Sequence, residues 1–311
     1  MAASIGITTC CYEADYHLVK ATCSSVRKFL GDVELCVIVD GHLDASDLKS
    51  QYGAKLIYTR EIEDKTFREI CFQSYFAKFA AFFYSDIEKF LFLDSDAIIW
   101  GNPIRHLDLD EYDFAILNPL GLPCPREAIE KYQFNILEME AFDPDFQYED
   151  YHFFCSGAFA ARQSAVTKED LLEVLALKKR HPKLFSFYGD QPLLNYLVFS
   201  KAKAGRLTYQ VVDRQFFPHQ HKTDDMNERF GKSCYDVKLE NATDEDLVLH
   251  FSGKKPHLFN KVYRAPFTHC RLEHYKNKYK SSFLAWSSLF IDDGRVFKKK
   301  AIAKLKRMAG N

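Results

Sequence analysis

Apolar and polar positions in the first hundred residues switch between two periods. Short β-branched or apolar runs fall at 4–9, 34–39, 55–58 and 89–93. Between them, apolar residues at helical spacing predict helices over 16–29 and over one long segment, 67–84. Such alternation predicts an α/β fold in which a mostly parallel central sheet is flanked by helices. Runs 34–39 and 89–93 are almost continuously apolar, as central strands covered on both faces are. Each is followed by an aspartate at the strand end, Asp40 and Asp94. Ligands of open α/β sheets bind beyond the carboxyl ends of the strands, so both acids are candidates to face a site.

Past Trp100 the pattern loosens. Strands are expected at 113–117 and 153–161, with a proline-bearing insertion between them, and helices at 168–180 and 192–198. The last expected strands are 207–212 and 247–251, and the polar stretch between them reads as loop. No internal repeat or low-complexity linker interrupts the chain. The simplest partition is a catalytic domain over 1–260 and a C-terminal helical extension over 261–311 that ends in a basic amphipathic tail.

Composition narrows the class. With 311 residues, 47% hydrophobic and 27% charged, the chain can bury a full core. Its apolar runs stop well short of the roughly 18 to 20 residues of a membrane-spanning helix, and its start shows no basic leader segment, so neither anchor nor signal peptide is expected. Nine cysteines without a CxxC pair argue against a disulfide framework and a structural zinc site, and for a reducing cytoplasm. Adjacent Cys10 and Cys11 read as small buried thiols. Net charge is −1, but seven basic residues and no acidic one lie from Arg295 onward. Residues 1–294 therefore hold 35 basic and 43 acidic side chains, a mildly acidic body behind a basic tail.

Candidate chemistry sits at two strand ends. Leu91-Phe92-Leu93-Asp94-Ser95-Asp96 places two carboxylates one residue apart where a buried strand emerges. Both can reach one hard cation, which can bridge the phosphates of a nucleoside diphosphate. The plainer reading of a DxD is a turn with a capping aspartate. His250-Phe251-Ser252-Gly253-Lys254-Lys255-Pro256 follows another apolar strand. A neutral imidazole can complete an oxygen-rich coordination sphere, a glycine lets backbone approach phosphate and a lysine neutralises it. Alone, such a histidine is a core or surface residue; beside the DxD it is a matching half-site.

Four ordered pieces over about residues 4–256 resemble the retaining glycosyltransferases of family 8, which include glycogenin-like and lipopolysaccharide sugar transferases. They are the Ile-Thr-Thr strand end, Phe92 to Ile98, Gly189-Asp190-Gln191-Pro192-Leu193-Leu194-Asn195, and the His250 segment. The resemblance implies a GT-A fold, a UDP-sugar donor, Mn2+ or Mg2+, and retention of anomeric configuration. It makes Asp94, Asp96 and His250 the metal ligands, and Gly253 with Lys255 the diphosphate clamp. Lys78, Ser95 and Gly157 would contact the donor, and Thr8, Thr9 and Tyr12 would form the uridine-binding edge, with Tyr16 as the alternative tyrosine.

The pattern also departs from the family. The glycine-to-proline stretch is one residue short, which leaves Lys254 as the alternative clamp, and His257 stands where a tryptophan is usual. Cys155 in Phe154-Cys155-Ser156-Gly157-Ala158 takes an asparagine's place, leaving the donor sugar open. Asp190 and Gln191 read either as a helix cap or as catalytic groups beneath the donor sugar. In the second case, retention proceeds by internal return or through a covalent intermediate on Asp190. A sugar-phosphate nucleotidyltransferase would carry a glycine-rich basic loop after the first strand, where this chain has Thr9-Cys10-Cys11-Tyr12-Glu13. A non-catalytic, membrane-associated protein keeping the fold would be expected to break the metal triad. The aromatic content of 15% is put down to core packing before sugar stacking.

In the tail, Phe297, Ala301, Leu305 and Met308 would share one helical stripe among lysines and arginines. Such a helix suits the surface of an anionic membrane and a lipid-linked saccharide acceptor; a terminal helix packed on the body is the plainer account. No nucleic-acid partner is expected, since the body is acidic and no base-reading module accompanies the tail.

Overall fold

The alternating first segment forms β1 (Gly6–Tyr12), α1 (Tyr16–Leu30), β2 (Leu35–Asp40), α2 (Ser46–Tyr52), β3 (Lys55–Tyr58), α3 (Lys65–Cys71), α4 (Ala80–Tyr84), β4 (Lys89–Asp94) and β5 (Ala97–Trp100). The computed structural model describes residues 4–117, 124–186 and 189–309, without the side chains of 299–300 and 303–309. The middle of the chain supplies β6 (Phe114–Ile116), α5 (Arg126–Tyr132), α6 (Ile136–Phe142), β7 (Ala158–Arg162), α7 (Lys168–Arg180) and α8 (Gln191–Lys203). After these come β8 (Tyr209–Val211), β9 (Gln215–Phe216), α9 (Thr223–Phe230), α10 (Ala242–Glu245), β10 (Leu247–His250), α11 (Ala265–Tyr279) and α12 (Ser282–Ala309).

Seven strands make the central sheet in the order β3-β2-β1-β4-β7-β6-β8, all pairs parallel except those of β7 with β4 and β6. The chain order reverses between β1 and β4, so their carboxyl ends open the crevice where an α/β sheet takes its ligand. A second sheet, β5-β10-β9, lies beside that opening. Phenylalanines fill the core beneath it. Phe92, Phe114 and Phe82 stack on Phe159 at centroid distances of 5.1, 5.2 and 6.0 Å, so packing accounts for these aromatics.

Three expectations change. The long helix over 67–84 is broken, because the buried Asp40 carboxylate takes the N–H groups of Gln73 (2.7 Å) and Ser74 (3.2 Å) and the Thr59 hydroxyl (2.6 Å). Gln73 turns to φ +52°, and a 3₁₀ segment, Tyr75–Phe79, follows. The strand over 153–161 shortens at its start, because Asn195 binds both the N–H and the C=O of Phe154 at 3.0 Å and removes that residue from the ladder. The polar stretch read as loop holds β9, α9 and α10, and β5 also went unforeseen in the run after the DxD.

The C-terminal helices close the back of the site. α11 buries Phe267, Cys270 and Arg271, and α12 buries Asp293, whose carboxylate pairs with Arg271 (2.7 Å) and His257 (3.3 Å) and takes the Leu258 N–H (2.7 Å). Burial alone would raise the Asp293 carboxyl, but the bond from His257 and the Arg271 charge outweigh it and hold it at about 2, below its ordinary 3.8. An acid depressed by folding adds stability above its unfolded pKa, here on the order of 2 kcal/mol, which is lost as pH falls through the folded value. Urea unfolding of Asp293→Asn at pH 6 should therefore show a loss of about 2 kcal/mol or more that narrows as pH drops from about 4 towards 2.

Candidate active site and metal centre

β4 delivers Asp94, and the turn that follows delivers Asp96. β5 then runs antiparallel to β10, with Ala97 opposite His250. The ligand atoms of Asp94, Asp96 and His250 all lie within 4.8 Å of one another. His250 Nε2 is 3.4 Å from Asp96 Oδ1 and 4.0 Å from Asp94 Oδ2. The Asp94 N–H binds Gly157 O at 2.8 Å and the Phe251 N–H binds Asp96 O at 3.0 Å. Thr22 Oγ1, on α1, lies 3.0 Å from the carbonyl oxygen of Ser95 and 2.8 Å from that of Ala97. Ser95 is thus held through its backbone, with its side chain buried.

Gly157 is what lets the three ligands converge. A Cβ there would stand 2.2 Å from His250 Cε1 and 2.8 Å from Asp94 Oδ2. Gly253 serves differently: its φ of +80° turns the chain after Ser252 so that Lys255 reaches back to Asp96. Lys254 is exposed, so Lys255 is the lysine brought to the site.

Lys78, on the 3₁₀ segment, is buried between two carboxylates, 3.1 Å from Asp94 Oδ1 and 2.8 Å from Asp190 Oδ2. Asp190 precedes α8 but caps no backbone N–H; its carboxylate instead takes the Ser156 hydroxyl at 2.5 Å. The capping reading therefore fails for its side chain. Gln191 Oε1 accepts the Ser156 N–H at 3.4 Å. Lys78, Asp94, Ser156, Asp190 and Gln191 form one connected group beside the metal ligands.

Buried charges must pair, and here they do. Burial alone would raise Asp96, yet His250 and Lys255 against it hold its carboxyl well below the usual range. Burial lowers His250, but the Asp96 carboxylate overcomes this and lifts it to about 10. Lys78 likewise rises despite burial, because Asp190 and Asp94 flank it. The donor set suits a hard divalent cation: two carboxylates and an imidazole around one point, with a glycine where any side chain would intrude. A cation there would take over the role that Lys255 and the His250 proton play towards Asp96.

Thr8 and Thr9 do not reach the edge. β1 continues in register with β2 as far as Tyr12 opposite Asp40, so both threonines lie fully buried inside the sheet. Cys10 is the residue of β1 opposite Asp94. Tyr12 is half exposed at the strand end, and Tyr16 instead donates to Asp47. Asp15 was not foreseen. Burial pushes its carboxyl up to about 6 against the pull of Lys255, with Asp96 and Asp94 adding to the rise, and it accepts the Tyr12 hydroxyl. Ser156 and Gln215 were also missed; Gln215 Nε2 lies 2.7 Å from His250 Nδ1. Cys155 Sγ stands 3.9 Å from the same nitrogen.

Neither a family model nor a curated protein sequence matches the chain. Solved structures do. The galactosyltransferase LgtC, in complex with donor and acceptor sugar analogs, superposes with a TM-score of 0.56 at 15% identity, over 86% of this chain and 95% of that one. The fold is that of the GT-A glycosyltransferases. The glycosyltransferase GlyE of Streptococcus pneumoniae TIGR4 gives 0.53 at 16% identity, over 92% of this chain and 63% of its own. The bifunctional glycosyltransferase WbbM gives 0.52 at 12%, over 88% and 50%. Asp94, Asp96 and His250 gather beyond the carboxyl end of β4, beside the point where the strand order of the sheet reverses.

The crowding at Gly157 is directly testable. Gly157→Ala should leave the thermal unfolding of the metal-free protein within a few degrees of wild type. It should weaken Mn2+ binding, read by electron paramagnetic resonance, by on the order of 10-fold or more, because the added methyl displaces His250 and Asp94.

Proposed function

We propose that this chain is a glycosyltransferase that uses a divalent metal to move a hexose-type sugar from a UDP-sugar onto a saccharide or glycoconjugate, with retention of configuration. The observation that carries the reading is the meeting of Asp94, Asp96 and His250 at one point, ringed by Lys78, Lys255 and Asp190. The complex of LgtC with donor and acceptor sugar analogs supports a two-substrate site in this fold.

Asp94, Asp96 and His250 would hold Mn2+ or Mg2+, and the ion would supply positive charge for the departing diphosphate. Lys255, on the turn made by Gly253, moves from Asp96 to that diphosphate. Tyr12 at the end of β1 would face the nucleoside, and Ser95 and Gly157, next to the metal ligands, would contact the donor. Asp190 and Gln191 lie beneath the donor sugar, where a carboxylate and an amide stabilise positive charge at the anomeric carbon. Lys78 positions Asp190 for this. The deciding experiment screens a UDP-sugar panel for Mn2+-dependent release of UDP and reads the product anomer by proton NMR. Wild type should turn over one donor with retention, and Asp96→Ala should fall to background with its fold intact. Near-wild-type turnover by Asp96→Ala would remove the reading.

The same reading puts a cytoplasmic chain on the inner face of an anionic membrane, with a lipid-linked saccharide as acceptor. α12 supports it. Phe283, Phe290 and Phe297, at seven-residue spacing, are 78%, 58% and 62% exposed, and Ile291 and Ile302 are exposed beside them. Basic residues follow from Arg295 on, each contributing on the order of 1 kcal/mol at an anionic surface. Ala301 is exposed on the same stripe, while the side chains of Leu305 and Met308 lie outside the described residues. No helix among the described residues is long and apolar enough to cross a membrane. Deleting 295–311 spares Asp293 and should abolish salt-sensitive binding to anionic liposomes while UDP-sugar turnover in solution persists. Equal liposome binding by both proteins would remove the membrane partner alone.

A further inference from the structure

The structure assigns Gln215 as the positioning residue that decides which ring nitrogen of His250 faces the two aspartates; the inference rests on the metal reading of Asp94, Asp96 and His250. A neutral imidazole carries one N–H and one lone pair, and a hydrogen-bond partner at one nitrogen fixes which nitrogen holds which. Nε2 is the nitrogen turned towards Asp96 and Asp94, at 3.4 and 4.0 Å. For Nε2 to offer its lone pair to a cation, Nδ1 must keep the proton, and that proton needs an acceptor.

Gln215 is the strong partner on that side. It is buried on β9, and its amide meets Nδ1 with Nε2 at 2.7 Å while its Oε1 has no partner among the described residues. The two ends of an amide exchange places by a half-turn about the last side-chain bond. Turned so, Oε1 accepts the Nδ1 proton and the amide NH2 takes the place that Oε1 held. In the other orientation Nδ1 must accept, and the proton moves to Nε2 and points at the carboxylates, where no lone pair is left for a cation. The geometry of a metal ligand therefore selects the orientation in which Oε1 faces Nδ1.

Among the described residues nothing else beside Nδ1 competes well. Cys155 Sγ is 3.9 Å away and a weak partner, and the Phe217 ring, 5.3 Å from the imidazole centroid, offers no acceptor. The Gln215 backbone cannot drift, because its N–H binds Leu117 O at 3.0 Å and its strand is registered on β10 with Val248 opposite Gln215. A ligand histidine whose second nitrogen loses such a partner typically costs 10- to 100-fold in metal affinity.

The test measures Mn2+ binding to the full-length protein in the presence of UDP, by electron paramagnetic resonance, with circular dichroism as the check on folding. Gln215→Leu should raise the Kd for Mn2+ by roughly 10- to 100-fold. Gln215→Glu, whose carboxylate can only accept, should restore wild-type affinity or tighten it. Gln215→Met repeats the first measurement at nearly the same side-chain length should the leucine variant misfold. Wild-type Mn2+ affinity in Gln215→Leu or Gln215→Met, with Asp96→Ala defective, would overturn the role of Gln215 and leave the metal centre standing. Loss in all three Gln215 variants would make Gln215 merely structural and overturn the inference. Unchanged Mn2+ binding by Asp96→Ala would instead bring down the metal reading beneath it.

Discussion

The antiparallel pairing of β5 with β10 is the contact on which the site depends. It joins the strand end that follows the DxD to the strand end that carries His250, two segments separated by about 150 residues of chain. Without it, Asp96 and His250 would each be a buried charge facing an incomplete partner. With it, three ligand side chains share one point, and the cost of burying Asp96 is offset by His250 and Lys255. Gly157 completes the constraint from the neighbouring strand, since its missing side chain is the space into which His250 and Asp94 fit.

The fold was legible because its strands are short, apolar and separated by amphipathic helices. The ladder of β1, β2, β3 and β4 falls almost where the pattern of residues put it. The DxD and His250 were legible for a related reason: a polar residue directly after a buried strand has few places to go except the ligand edge of the sheet. Lys78 and Asp190 were named through the family resemblance, and they pair directly at 2.8 Å while Ser156 donates to Asp190.

What escaped the sequence depends on contacts between distant segments. No local pattern says that Asp40 will take the backbone of Gln73 and Ser74 and break a helix that composition favours. Thr8 and Thr9 resemble a strand end, but the ladder carries β1 on to Tyr12, because Asp40 of β2 extends the pairing. Gln215 lies in a polar stretch with no alternation to mark it, and its strand exists only through β10 and the backbone of Leu117. Asp15 belongs to no motif and joins the site only through its interaction with Lys255, Asp96 and Asp94.

The loop that follows His250 is held at both ends by buried charge. At one end Lys255 meets Asp96, and at the other His257 and the Leu258 N–H meet Asp293 on α12, with the His257 ring stacked 5.2 Å from His17. His257 thus fills a tryptophan's place with a ring that also binds a carboxylate. Phe259, just past this anchor, packs on Phe290 at 4.9 Å and Phe297 at 6.2 Å, so the exposed apolar face of α12 begins at the loop itself. A surface that engages α12 would lie within one short loop of the lysine that contacts Asp96. The helix is therefore part of the wall that keeps the Lys255 turn in place, and its first half belongs to the site as much as to the surface.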